Sequence, residues 1–96
     1  MTQLTAYRRY VVKGRVQGVG FRWFVEREAQ LLGVGGWVRN SDDGSVEVLV
    51  MGTHQQHIAL YERLQLGPRA ARVDVVEVEE AAPFTGYKIF QIEETR

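Results

Sequence analysis

Gly14-Arg15-Val16-Gln17-Gly18-Val19-Gly20-Phe21-Arg22 joins an apparent strand to an apparent helix, and the reading of that junction decides the fold of the 96-residue chain around it. On its N-terminal side, Tyr10-Val11-Val12 is apolar on both faces, as an interior strand would be. On its C-terminal side the spacing turns helical from Arg22 to Leu32. Phe21, Phe24, Val25, Ala29 and Leu32 share one face, with Glu26, Arg27 and Gln30 mostly opposite and Gly33 placed as a C-terminal cap. Between them, Gly14, Gly18 and Gly20 let the backbone take positive φ, so that successive N–H groups can converge on one point. The helix adds the positive end of its dipole, and Arg22 adds a planar fork suited to phosphate. A phosphate-sized dianion would fit there, although a glycine turn of this kind is read equally well as a tight turn alone.

Two common phosphate loops are excluded. The nucleotide loop needs a Gly-Lys-Ser/Thr ending, whereas Gly20 is followed by Phe21-Arg22; the dinucleotide fingerprint needs a third glycine where Trp23 stands. Trp23 would border the seat, but a large aromatic at helical spacing reads more readily as packing.

Outward from the junction, Gly35-Gly36-Trp37-Val38-Arg39-Asn40 reads as a short strand, and Asp43-Gly44 as a hairpin turn into Ser45–Met51, with Val46, Val48 and Val50 on one face. Asn40 then stands at a strand end, where asparagine is a favoured turn residue. Asp42 and Asp43 suit the turn better than an anion site, and the calcium-loop pattern fails at Arg39 and Ser41. Thr53-x-x-Gln56 has the form of a capping box. It opens a second helix through about Leu66, with Ile58, Leu60, Tyr61 and Leu64 apolar and Gly67-Pro68 as its stop. His54 and His57 read as ordinary exposed or half-buried histidines rather than a metal pair. Arg72–Glu79 is a further strand whose alternation changes phase at Val75-Val76, as at a bulge, and Gly86–Ile92 a last strand with Phe90 and Ile92 inward. The expected fold is α+β, a ferredoxin-like βαββαβ order plus a short extra strand. Its antiparallel sheet carries two helices on one face.

At the level of motifs, Val12-x-Gly14-x-Val16-Gln17-Gly18-Val19-x-Phe21-Arg22 followed by Gly36-Trp37-Val38-Arg39-Asn40-x-x-x-Gly44-x-Val46 resembles the paired signature of the acylphosphatase family. Both halves have that family's order and spacing, and the likeness runs from about Tyr10 to Ile92. The resemblance implies the same fold, a single domain over residues 1–96, and water attack on the phosphorus of an acyl phosphate to give carboxylate and inorganic phosphate. It implies no metal and no cofactor. Arg22 and the backbone N–H groups of Gln17, Gly18, Val19, Gly20, Phe21 and Arg22 would hold the phosphoryl oxygens, and Asn40 would orient the water. The residues are consistent with so mild an apparatus, because the leaving carboxylate has a conjugate acid of pKa ~4 and needs no proton at neutral pH. Ser41, beside Asn40, is a weaker candidate for supporting the water.

Composition narrows the alternatives. Without cysteine there are no disulfides or thiolate chemistry, and a net charge of zero argues against a general nucleic-acid binder. Basic residues gather early (Arg8, Arg9, Lys13, Arg15, Arg22, Arg27) and acidic ones late (Asp74, Glu77, Glu79, Glu80); a basic end around the loop would attract a small anion, and scattered solvated charges are an equal reading for every member except Arg22. Arginine outnumbers lysine ten to two, which does not decide between heat adaptation and base composition. Met1-Thr2-Gln3-Leu4-Thr5-Ala6 has neither a leader nor a membrane pattern, and the chain reads as a cytoplasmic monomer with small-molecule partners, no nucleic acid and no membrane. Two other functions stay open. An RNA-binding sheet would need Phe21, Trp23 and Phe24 on an open sheet face rather than at a helix start. A phosphate sensor without turnover would share every motif residue.

Overall fold

The structure, a computed structural model, describes residues 4–96; of the opening segment considered above, residues 1–3 lie outside that range. In chain order the elements are β1 (Thr5–Arg15), α1 (Phe21–Leu32), β2 (Gly35–Asn40), β3 (Val46–Thr53), α2 (His54–Leu66), β4 (Arg72–Glu80) and β5 (Gln91–Ile92). They form one sheet in the order β4-β1-β3-β2-β5 with the helices packed on it. The doubly apolar β1 is therefore interior, as its pattern required, and it delivers the glycine loop from the middle of the sheet.

Alternation decides which side the helices cover. Tyr10 and Val12 of β1, Val38 of β2 and Val46, Val48 and Val50 of β3 all point into a core closed by Phe21, Val25 and Ala29 of α1 and Leu60 and Leu64 of α2. The three β3 valines are at 0% exposure, and each contributes about 1.5–3 kcal/mol by leaving water. On β4, Val73 and Val76 both pack against this core. They can do so at odd spacing because Lys13 pairs with Val75 and Gly14 with Val73, leaving Asp74 as the extra residue of a bulge.

Three expectations are corrected. The sheet is mixed, because β5 runs parallel to β2, with Trp37 opposite Gln91 and Val38 opposite Ile92. Period-two alternation is blind to strand direction; the direction follows from the β4–β5 connection. That connection leaves one edge of the sheet, packs Phe84 edge-on against Tyr7 at 5.3 Å, and reaches the other edge where the Gly36 N–H donates to the Tyr87 carbonyl at 2.7 Å. Regular pairing shrinks to Gln91–Ile92, and Ile92 is 38% exposed although Phe90 is buried. His57 is fully buried rather than exposed or half-buried. Its ring lies between the Tyr10 hydroxyl, 2.6 Å from Nδ1, and the Ala6 carbonyl, 2.9 Å from Nε2. A carbonyl only accepts, so Nε2 carries the proton and the neutral ring accepts from Tyr10 at Nδ1. Burial pulls the His57 pKa below its ordinary value despite the Ala6 carbonyl.

Part of the early basic cluster is paired by the fold. Pairing β1 with β4 and β3 sets Arg9 against Glu79 at 2.8 Å and against Glu47, and Lys13 against Glu77 at 3.2 Å. Glu47 also receives Arg39 at 2.7 Å. Burial raises the Glu47 carboxyl, but the hydrogen bonds from Arg9 and Arg39 outweigh it and hold the group below the usual carboxylate range. Two of the early cations, Arg9 and Lys13, are thus partners of two of the late anions, Glu79 and Glu77, across adjacent strands, while Asp74 pairs with Arg72 on its own strand. Arg22 makes no ion pair among the described residues.

Candidate active site

Leaving β1, the chain buries Val16 at 1% exposure and then turns through Gly18 at φ 73° and Gly20 at φ 76° before Phe21 anchors α1 in the core. Only glycine takes this left-handed conformation at no cost, and at neither position would a Cβ meet anything within 4 Å, so the requirement is conformational rather than one of space. Gly20 is the cap residue of α1 and has no side chain to cap with; no acidic residue stands in the first turn. The first N–H groups of the helix are thus left without a side-chain acceptor, and the dipole's positive end is not offset.

Beside this helix start is a cleft of about 230 Å³ lined by Val16, Gly18, Gly20, Phe21, Arg22, Trp23, Asn40 and Ile92. The fold therefore brings together Arg22, Asn40, Gly18, Gly20 and Phe21, which are separated by up to one helix and a strand in sequence. It does not bring every expected residue to the cleft. Val19 packs partly against the core, and the Gln17 side chain turns away to donate to the Ser41 carbonyl at 2.8 Å and the Ser45 carbonyl at 2.9 Å. Ser41 does not line the cleft; its backbone closes the β2–β3 turn, where its N–H donates to the Ser45 carbonyl at 2.9 Å. Asp43 serves that turn as expected, accepting from the Ser45 N–H at 2.9 Å and the Ser45 hydroxyl at 2.6 Å. The hydroxyl, then the N–H, holds the Asp43 carboxyl below its ordinary pKa.

Among the described residues, Asn40 Oδ1 is the buried side-chain polar atom without a hydrogen-bond partner. Leaving such an atom unpaired costs about 1–3 kcal/mol, and it is retained on the cleft that Arg22 and the uncapped start of α1 also line.

Three lining residues, Val16, Trp23 and Ile92, lie outside the expected site residues, and of these Trp23 was weighed as a border of the seat but read as packing. Trp23 is 64% exposed, not packed, because α1 points it away from the sheet; the Arg27 guanidinium lies 5.6 Å from its ring. Ile92 reaches the cleft because β5 is the outer strand beside β2. The Trp23 position was readable, since it falls off the helical face that Phe21, Val25 and Ala29 define. Phe21 and Phe24 stand on α1 with ring centroids 6.0 Å apart, not on the uncovered face of the sheet where an RNA reader would need them.

A sequence model of the Acylphosphatase family matches residues 8–92, nearly the whole chain. The chain belongs to the acylphosphatase family. An acylphosphatase of Koribacter versatilis (strain Ellin345) is 61% identical over 95 residues, covering 99% of this chain and 86% of that protein. The crystal structure of acylphosphatase from Bacillus subtilis matches with a TM-score of 0.87 at 38% identity, covering 94% of this chain and 99% of that one. Full-length HypF in its phosphate- and nucleotide-bound form matches with the same TM-score of 0.87 at 28% identity over 99% of this chain, which spans only 13% of HypF. Enzymes named acylphosphatase thus match nearly end to end, and the chain is an enzyme of this family.

Proposed function

We propose that the chain hydrolyses the carboxyl-phosphate bond of acyl phosphates without a metal ion, using a phosphate seat made of the loop, the start of α1 and Arg22, with Asn40 orienting the water. The observation that carries this reading is the unpartnered, buried Asn40 Oδ1 on the same cleft as Arg22 and the uncapped helix start. Arg22 supplies a charge that no carboxylate of the described residues consumes. The N–H groups of the loop and of the first turn supply donors to the phosphoryl oxygens, and their attraction grows as the transition state spreads charge over those oxygens. Asn40 Oδ1 accepts a hydrogen bond from the attacking water and fixes its approach, a task of orientation that needs no shifted pKa.

The water oxygen bonds to phosphorus as the bond from phosphorus to the carboxylate oxygen breaks. The electron pair leaves with the carboxylate, and the water's proton passes to a phosphoryl oxygen. The products are a carboxylate and inorganic phosphate, with no phosphoenzyme. We further take residues 1–96 as one domain acting as a cytoplasmic monomer on small molecules, without nucleic-acid or membrane partners. A net charge of zero supports this, as does the absence of any helix long and apolar enough to cross a membrane among the described residues.

The test is loss of an aryl acyl phosphate at neutral pH in chelator. Asn40→Ala is expected to lower kcat by ~100-fold or more while inorganic phosphate still binds, whereas Arg22→Ala loses both binding and turnover. Phosphate binding by the unaltered protein with no turnover above the uncatalysed rate would replace the enzyme by a phosphate sensor.

A further inference from the structure

We infer that the Gln17 side chain has a positioning role, a clamp that sets Asn40 against the anion loop rather than a side-chain ligand of the anion. This rests on the water-orienting role given to Asn40 above. Gln17 lies in the middle of the loop, yet both protons of its side-chain amide are used elsewhere: one on the Ser41 carbonyl at 2.8 Å, the other on the Ser45 carbonyl at 2.9 Å. Those two carbonyls are the ones that close the β2–β3 turn. Ser45 O also accepts from the Ser41 N–H at 2.9 Å, and Ser41 O from the Gly44 N–H at 3.1 Å. One amide therefore fastens the loop to both sides of the turn, across 24 and 28 residues of sequence.

Asn40 immediately precedes Ser41, and its Oδ1 has no protein partner to hold it. An untethered side chain is aimed by its backbone alone. That backbone is held by its pairing with Val46 of β3, by Gln17 through Ser41, and by the chain after β5, where the Arg96 N–H donates to the Asn40 carbonyl at 3.0 Å and the Asp42 N–H to the Arg96 carbonyl at 2.8 Å. Beyond the sheet pairing through Val46, Gln17 is, among the described residues, the loop side chain that hydrogen-bonds to the turn beside Asn40. It therefore fixes the distance between the water's acceptor and the phosphorus, where a displacement of about 1 Å costs ~100-fold in rate.

The experiment measures kcat on an aryl acyl phosphate and the inhibition constant of inorganic phosphate for Gln17→Met and Gln17→Glu, in the natural and the Asn40→Ala backgrounds, with thermal midpoints alongside. Methionine keeps the length and loses both donors; glutamate keeps the shape and sets a carboxylate against two carbonyls. In the natural background Gln17→Met is expected to lower kcat by ~10- to 100-fold and leave the phosphate constant within ~3-fold, with Gln17→Glu falling further. In the Asn40→Ala background the same change is expected to cost less than ~2-fold, because a residue acting only through Asn40 has nothing left to position. Losses that multiply in the double variant, or a phosphate constant that rises in step with the fall in kcat, overturn the clamp. If one Gln17 variant does not fold, the other decides. Full turnover in Asn40→Ala alone would instead remove the water-orienting role itself, a result separable from failure of the clamp.

Discussion

Helix α2 begins at Thr53, whose hydroxyl accepts from the Gln56 N–H at 3.2 Å while the Gln56 side chain accepts from the Thr53 N–H at 2.8 Å; α1 begins at Gly20, which has no side chain to offer. The helices are nearly equal in length, 13 and 12 residues, and lie side by side on one sheet. At α2 the box takes up the Gln56 N–H among the N-terminal donors, and Gln56 goes on to donate to the Leu32 carbonyl at 2.9 Å, binding the end of α1 to the start of α2. At α1 the corresponding donors are left available beside an arginine without a counter-ion. A reciprocal cap such as that of α2 typically contributes about 1 kcal/mol, so its omission at α1 is a cost that a binding role for those donors explains.

The difference breaks most severely if α1 is given the charge it lacks. Gly20→Asp would set a carboxylate against any dianion in the cleft. At roughly 5 Å and an effective dielectric near 20, each like-charge pair costs about 3 kcal/mol, so kcat/KM should fall by ~100-fold or more. Aspartate tolerates the left-handed backbone better than most residues, so the thermal midpoint should move little. Retained activity would mean that the anion does not sit at this helix start.

A pH titration should find the opposite weakness at α2. His57, in the first turns of that helix, titrates near 6.5 when unfolded and below that when buried. Between the two values the unfolded chain binds the extra proton, so stability falls as pH drops through 6.5 and the loss levels off only below the folded value. His57→Gln should flatten that slope in denaturant titrations at pH 7 and 5, and should cost about 2 kcal/mol at pH 7 by disturbing a buried, doubly bonded side chain. A slope unchanged in the variant would assign the acid sensitivity between pH 7 and 5 to groups other than His57, and not to Glu47, whose carboxyl is held below the usual range and loses its contribution only at lower pH.

How much of this was legible follows from what each signal encodes. The two helices, the capping box and the buried β3 valines were readable because local periodicity and local hydrogen bonding carry them. Arg22 and Asn40 emerged as a pair only through the resemblance, since an arginine after a glycine turn and an asparagine before a hairpin each have commoner uses. The direction of β5 was not readable, because alternation in Gly86–Ile92 says which face is buried and nothing about which way the partner runs. Nor was His57, whose burial is decided by Tyr10, 47 residues away, and by the Ala6 carbonyl. The charge segregation was visible, but not that Arg9 and Lys13 of β1 would face Glu79 and Glu77 of β4, because the pairing of two strands so far apart in the chain leaves no local mark.

Two smaller effects sharpen the comparison. Thr53→Ala removes the cap of α2 and should cost about 1 kcal/mol in stability while leaving kcat/KM unchanged, since none of the residues it touches lines the cleft. At α1 the corresponding exposed side chain is Trp23, which contributes to the rim of the cleft rather than to the helix. Trp23 is 64% exposed with the Arg27 guanidinium 5.6 Å from its ring, and it and Ile92 are apolar side chains lining the cleft, which Trp23→Ala tests as a contact for the acyl group. An aromatic acyl group gains about 1 kcal/mol from such a contact and an acetyl group gains little. Trp23→Ala should therefore lower kcat/KM for an aryl acyl phosphate by ~3- to 5-fold and leave acetyl phosphate within ~1.5-fold. Equal losses on both substrates would place the effect in the helix start itself, and no loss on either would mean that the acyl group leaves the cleft by another side.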